Sequence, residues 1–299
     1  METTPRLLAA IGTFDGVHTG HRHLLGLLTT EARTRGLAPA VVTFTNHPLE
    51  VIRPERVPPT LTPYPQKEAL LKALGVSVIP MKFDEELRRL TASEFMTMLR
   101  ERHGVDALVL GYDTRFGHDR PQSFDDYAAI AASAGMQVIL ASALTDTADA
   151  LPVSSTRIRA AIAAGDITTA DSLLGRPYEI SGTVVHGRAI GRTIGFPTAN
   201  VAPDCPGQLM PPNGVYAVAA TLPSGVTMPA VANIGLRPTV DPSAAPERTL
   251  EVHIPGYSGD LYGKHISVGF LRRIRPERRF AGLDELKGAI AADIASLNR

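Results

Sequence analysis

Two histidines three residues apart, His18 and His21, stand where this chain could handle an anion. They lie in Gly12-Thr13-Phe14-Asp15-Gly16-Val17-His18-Thr19-Gly20-His21, between the apolar run Leu7–Ile11 and the spaced leucines Leu24, Leu25, Leu27 and Leu28. The first run reads as a buried parallel strand and the leucines as one face of a helix. The glycines, Gly12 and Gly16 among them, therefore fall on a strand-to-helix turn. Glycine there lets backbone approach a ligand and adopt positive φ. The helix N-terminus beyond presents free N–H groups and partial positive charge, which suit phosphate. Once the first helical turn has begun, His18 and His21 project from one face. Two imidazoles and several backbone donors aimed at one anion can stabilise the charge that builds on a phosphate in transfer. A glycine turn or a lone histidine would read as structural; the combination specifies a site. It is no Walker loop, because no Gly-Lys-Ser/Thr follows.

Two further groups carry possible chemistry. Ser154, Ser155, Thr156 and Arg159 open another helix, with a serine as its cap; spacing alone favours a capped helix with solvated arginines. In Gly187-Arg188-Ala189-Ile190-Gly191-Arg192-Thr193-Ile194-Gly195-Phe196-Pro197-Thr198-Ala199-Asn200, glycines recur every four residues. They mark either a mobile loop or a backbone cradle for phosphate. Thr198 and Asn200 offer neutral oxygens, which suit Mg²⁺ already partly ligated by phosphates and water. Glu251 sits within Leu250-Glu251-Val252-His253-Ile254, as either a solvated outward residue or a general base facing a cleft.

The elements that must position these residues change character along the chain. Strands are expected at Leu7–Ile11, Ala38–Phe44, Val76–Met81, Ala107–Leu110 and Gln137–Ala141, alternating with helices. One of these helices is capped by Thr91 with Glu94. Arg53–Pro65, with its prolines, reads as an extended loop. Such alternation argues for a parallel sheet covered on both faces, whose ligands bind at the carboxyl ends of the strands. Gly12 to His21, His47 and Gly111 to Gly117 all lie at such ends. After Arg176 short β runs separated by Gly and Pro take over, which suggests a small barrel or sandwich. Leu283, Leu286, Ile290, Ile294 and Leu297 form one face of a terminal helix expected to pack on it. Two domains follow, 1–175 and 176–299.

Lys+Arg and Asp+Glu are both 30, so a formal net charge of zero gives no electrostatic case for nucleic acid. The single cysteine, Cys205, allows no internal disulfide, and no Cys/His cluster has structural-zinc spacing. A reducing cytoplasm fits. No signal peptide or bilayer-spanning run is evident. The sequence is silent on oligomeric state.

The strand, the Gly-x-Phe-Asp-Gly-x-His-x-Gly-His stretch and the following helix resemble the nucleotidyltransferase superfamily signature. Gly-Arg-x-Ile-Gly-Phe-Pro-Thr-Ala-Asn, Gly214-Val215-Tyr216, Asn233-Ile234-Gly235, Leu250-Glu251-Val252-His253, Asp260-Leu261-Tyr262-Gly263 and Arg275-x-Glu277 to Phe280 look like riboflavin kinase. The whole chain thus resembles the bacterial bifunctional riboflavin kinase/FAD synthetases. The resemblance implies a Rossmann-like α/β nucleotidyltransferase domain, followed by a small antiparallel β-barrel kinase domain with a C-terminal helix. It implies riboflavin, FMN and ATP as small-molecule substrates, FAD as product, and Mg²⁺ with ATP, with neither nucleic acid nor membrane as partner. It makes His18 and His21 the α-phosphate residues, beside Gly12, Phe14, Asp15 and Gly16. Ser155, Thr156 and Arg159 would hold the outgoing phosphates, and Asp113 and Phe116 would line the flavin side. In the kinase half, Gly187, Gly191 and Gly195 would cover the phosphates, Thr198 and Asn200 would bind Mg²⁺, and Glu251 would be the base. Thr114 and the run 118–123 depart from the family pattern. They motivate the alternative of a riboflavin kinase with an impaired or repurposed N-terminal half. The N-terminal motif alone would allow another nucleotidyltransferase, but the kinase-like barrel fused to it argues for a flavin substrate; a non-enzymatic flavin sensor would leave two phosphate sites and Glu251 unexplained.

Overall fold

Five short apolar runs separated by amphipathic helices build the first half of the chain. In the computed structural model, residues 6–111, 114–142, 144–146, 150–187, 190–237 and 247–298 are described. They separate into two compact units, Met1–Ser155 and Thr156–Arg299.

In the first unit β1 (Leu7–Ile11), β2 (Ala38–Phe44), β3 (Ser77–Met81), β4 (Val105–Gly111) and β5 (Gln137–Ala141) form a parallel sheet in the order β3-β2-β1-β4-β5. Alternation along β1 sends Leu8 and Ala10 to one core, with Leu25, Leu28 and Ala32. Ala9 and Ile11 go to the other, with Phe95, Met96, Leu99 and Tyr127. Both faces are thus covered, as a parallel sheet requires. The strand order reverses between β1 and β4, which opens a crevice at their carboxyl ends. Helix Ala92–His103 begins with the expected capping box: Glu94 N donates to Thr91 Oγ1 and Thr91 N to Glu94 Oε2. The proline-rich stretch is less extended than expected. Turns of helix occupy Leu49–Ile52 and Pro54–Arg56, and a longer helix, Tyr64–Ala73, already includes Pro65. A first-turn proline costs no hydrogen bond, because that N–H has no helical partner.

The second unit opens with helices Ser155–Ala164 and Ile167–Leu174. Six antiparallel strands follow: β6 (Tyr178–Val185), β7 (Ala199–Pro203), β8 (Gly214–Thr221), β9 (Thr227–Arg237), β10 (Glu247–His253) and β11 (His265–Arg275). They close into a barrel in the order β10-β7-β6-β11-β8-β9. Closure leaves no free sheet edge. Tyr178, Tyr216, Val218, Ile234, Leu250, Val252 and Phe270 are among the buried side chains of the barrel. The glycine-rich segment, expected as a loop to Asn200, passes into β7 at Ala199 and contains the short helix Ile190–Thr193.

The terminal helix, Leu283–Ala295, departs from the expected apolar docking. Leu283 is 60% exposed and the helix's one buried residue is Asp293, at 4%. Its anchor is polar. Arg275 of β11 donates from Nε and Nη2 to the Asp293 carboxylate at 2.8–3.2 Å, and Arg272 Nη2 donates to Ser296 O. The leucine spacing marks a half-buried stripe, and the fork of Arg275 fixes the helix. Losing one partner of a buried ion pair leaves an uncompensated charge, so Asp293→Ala should cost about 3 kcal/mol. The expected outcome is an earlier thermal transition for the second unit, largely recovered by pairing Asp293→Leu with Arg275→Met. An unchanged melting temperature in the single variant would contradict this anchor.

Candidate active sites

The glycine turn after β1 is a strained piece of backbone held by its surroundings. Phe14, Gly16 and Val17 all have positive φ, at 50°, 89° and 40°. Such a conformation costs a β-branched residue most. Four groups pin the turn. The Asp15 carboxylate, 7% exposed, accepts from Leu61 N and Thr62 N at 2.9–3.1 Å. Ser155 Oγ donates to Asp15 O at 2.8 Å. Lys67 Nζ donates to Thr13 O at 2.9 Å and to Phe44 O at 2.8 Å. Phe14 is fully buried, with its ring 5.0 Å from that of His21.

His18 is the N-cap of helix Thr19–Arg35, and its Nδ1 accepts from His21 N at 3.2 Å. An accepting Nδ1 carries no proton, so the neutral His18 ring holds its proton on Nε2. The two imidazoles stack with centroids 3.6 Å apart and planes 15° apart. Burial holds His21 well below the ordinary imidazole pKa, and His18 and Lys67 push it the same way. His21 is therefore neutral at physiological pH. Its Nδ1 is enclosed, with no hydrogen-bond partner among the described residues. A Cβ on Gly20 would lie 3.1 Å from His18 Nδ1 and 3.2 Å from Val153 O, so the cap is closely packed here and a side chain would press on the His18 ring.

The other predicted residues of this half are partly dispersed. Ser155 reaches the turn, as above. Thr156 is exposed, and Arg159 is half-buried one helical turn on. Phe116 packs against Tyr127 and Phe95, at 4.7 and 5.3 Å between centroids. Tyr127 Oη accepts from Phe116 N and donates to Phe116 O, both at 2.8 Å. Asp113 lies outside the described residues. The run after Gly117 has structural work of its own: His118 N donates to Leu90 O, Asp119 Oδ1 accepts from Ala92 N, and Ser123 caps helix Phe124–Ser133. His47, at the end of β2, accepts from Leu49 N through Nδ1. Lys67 was missed. A single lysine in a helix reads as solvated, and no spacing in the sequence marks this one as 7% exposed.

On the barrel, register assembles the second group. Glu251 pairs directly with Asn200 of β7 on one side and Asn233 of β9 on the other. Directly paired residues share a face, so the three form a row. Leu250 and Val252 point the other way and are buried. Thr198 Oγ1 donates to Glu251 Oε2 at 3.3 Å. A Cβ on Gly187 would fall 2.2 Å from Asn200 Nδ2, and one on Gly191 would fall 2.3 Å from Phe196 O. Gly187 thus packs tightly against Asn200 and Gly191 against Phe196 O, whereas at Gly195 a Cβ would meet open space and the backbone has φ +89°. His253 Nδ1 is 2.8 Å from Pro197 O, and its ring stands edge-on to Phe196. Asn233 received no role from the sequence, although it stands in Asn233-Ile234-Gly235. A Cβ on Gly235 would meet Glu277 Oε1 and Asn233 Nδ2, and Asn213 Nδ2 donates to Glu277 Oε2 at 3.3 Å. The polar row therefore extends past Asn233 toward Glu277.

Among the described residues, no group of three His, Cys, Asp or Glu side chains could hold a metal ion. No described helix is long and apolar enough to cross a membrane. The FAD synthetase family model matches residues 1–157, and the riboflavin kinase family model matches residues 174–299. A bifunctional riboflavin kinase/FMN adenylyltransferase from Escherichia coli strain K12 is 44% identical over 287 residues, 95% of this chain and 89% of the relative. The protein of that description from Bacillus subtilis strain 168 is 35% identical over 301 residues, 98% of this chain and 92% of the relative. A crystal structure described as a macrolide-efflux protein from Streptococcus pneumoniae aligns with TM-score 0.88 at 31% identity, covering 100% of this chain and 96% of that one.

Proposed function

The chain belongs to the bifunctional riboflavin kinase/FMN adenylyltransferase family, and from that premise we propose how its own residues divide the two reactions. The riboflavin kinase half phosphorylates riboflavin with ATP, and the FAD synthetase half transfers AMP from ATP to FMN, giving FAD and pyrophosphate. Both halves match their families, so a kinase with a repurposed N-terminal half is not favoured. We place the junction near Arg176 and the reactions in the cytoplasm.

In the kinase half the proposed base is Glu251. The observation that supports it is the row Asn200–Glu251–Asn233 with Thr198 Oγ1 3.3 Å from the carboxylate. The 5′-hydroxyl oxygen of the ribityl chain attacks the γ-phosphorus, its proton passes to Glu251, and ADP leaves. Thr198 and Asn200 are the residues that would hold Mg²⁺. They are neutral oxygen donors beside one carboxylate, a set that fits an ion arriving with the phosphates of ATP as further ligands. The ion neutralises phosphate charge when bound. Gly187, Gly191 and Gly195 keep side chains off the phosphates.

In the other half a phosphate oxygen of FMN attacks the α-phosphorus of ATP and pyrophosphate leaves. The turn supplies donors: the first N–H groups of helix Thr19–Arg35 and the His18–His21 pair. His21, neutral, acts as a hydrogen-bond donor, and no imidazolium pair is required. Ser155, Thr156 and Arg159 are assigned to the leaving phosphates, Asp113 and Phe116 to the flavin. Asp15 and Phe14 serve by fixing the turn.

Chromatography of products from riboflavin, ATP and Mg²⁺, with FMN supplied in a parallel reaction, tests the assignment. Glu251→Gln should lower riboflavin phosphorylation by about 10²-fold or more, the usual worth of a positioned base, with riboflavin affinity little changed. Equal loss of turnover and affinity would remove Glu251 from the role of base. His18→Ala should abolish FAD formation from supplied FMN and leave FMN formation from riboflavin intact. Normal FAD formation by that variant would refute the turn as the adenylylating site.

A further inference from the structure

Lys67 is a buried cation that neither reaction, as assigned above, uses. It sits on helix Tyr64–Ala73, 7% exposed, and two of its three N–H bonds go to main-chain oxygens. Those oxygens belong to Thr13, in the glycine turn, and Phe44, at the end of β2. One ammonium therefore joins the carboxyl ends of the two adjacent strands that border the site. Burying an ammonium costs several kcal/mol unless it is compensated, and two carbonyls make only a partial compensation. The charged groups facing it are few. Asp15 lies in the turn, the His18–His21 stack stands beside it, and the Tyr64 ring on its own helix has its centroid 5.5 Å from Nζ. Phe44 and the other residues of β2 bring no ionisable group.

A chemical need matches this placement. Adenylyl transfer piles negative charge on the α-phosphate, and His21, held neutral by burial, cannot oppose it with charge. His18 accepts through Nδ1, the rings are stacked, and His21 is held neutral. Preorganised positive charge in a water-poor site is worth most where the reaction creates negative charge. We infer that Lys67 is a positioning residue of the adenylylating site: its ammonium fixes the glycine turn against β2 and places a positive charge beside the His18–His21 pair. This rests on the assignment of that pair to the α-phosphate.

Burial lowers the Lys67 pKa to about 8, with Asp15 acting in the opposite direction. The sign follows: the ammonium is present below pH 8 and is lost as pH rises through it. The test uses the full-length protein and Lys67→Met, a side chain of similar length without charge. FAD formation from supplied FMN is followed across about pH 7 to 9.5, spanning the lowered lysine value. Circular dichroism and the thermal transition of the same preparations report that the unit carrying Lys67 is folded. The wild type should lose adenylylation as pH rises through about 8. Lys67→Met should be slower by about 10²-fold below pH 8, the worth of one preorganised donor. Its residual rate should show no fall through that range, with KM for ATP changed less than about threefold, since the charge acts in the transition state. FAD formation near the wild-type rate would overturn the inference. So would a slow variant that retains the wild-type alkaline fall, because loss of packing alone would leave the pH profile in place. His18→Ala is run alongside. If that variant still makes FAD, the site assignment fails and the inference falls with it.

Discussion

The buried carboxylate of Asp15 holds the glycine turn in a conformation that the chain would not keep unaided. Positive φ at Phe14 and Val17 costs on the order of 1–3 kcal/mol per residue. Within the turn itself, one backbone bond, from Val17 N to Phe14 O at 3.1 Å, opposes this cost. The carboxylate takes the N–H groups of Leu61 and Thr62, its own carbonyl takes the Ser155 hydroxyl, and Lys67 takes the carbonyl of Thr13. Two segments distant in sequence, Leu61–Lys67 and Ser155, thereby converge on the turn. The strain is local and the compensation is spread; on the proposed assignment, the result is a set of donors already oriented when a phosphate arrives. Preorganisation of this kind avoids the reorganisation that water would need.

The barrel reaches its site by a different constraint. Among the described residues, no non-glycine residue of the barrel has positive φ. Instead, antiparallel pairing fixes which side chains stand beside Glu251, and period-two alternation sends Leu250 and Val252 into the core while Glu251 faces the loop. A slip of one residue in β7 would exchange Asn200 for Ala199 or Val201 and dismantle the row. The close fit of Gly187 against Asn200 ties the start of the glycine-rich segment to that register.

These two constraints explain what could be read from the sequence. The parallel strands were legible because each is a short apolar run bounded by turn residues, and Ala38–Phe44 and Gln137–Ala141 match residue for residue. The histidine turn was legible because its residue types and spacing are local. Strand β7 was not, since Ala199–Pro203 follows a glycine-rich stretch and ends in proline, and its pairing with β10 spans some fifty residues. Lys67 and Asn233 were invisible for the same reason: each acquires its place only through tertiary contacts. The terminal helix misled because leucine spacing reports amphipathicity and cannot show that the anchor is the Arg275–Asp293 pair.

The central claim is that the proposed adenylylating site works with a neutral His21 stacked on His18, with the Lys67 ammonium as a positive charge beside them. Nitrogen NMR of ring-labelled histidine in the full-length protein, followed from about pH 5 to 8 around the ordinary imidazole value, tests it most directly. The account predicts that His21 stays neutral and does not titrate at or above 6.5, and that neutral His18 shows a protonated Nε2 and a bare Nδ1. A His21 ring that takes up its proton at or above 6.5, giving an imidazolium at neutral pH, would contradict it.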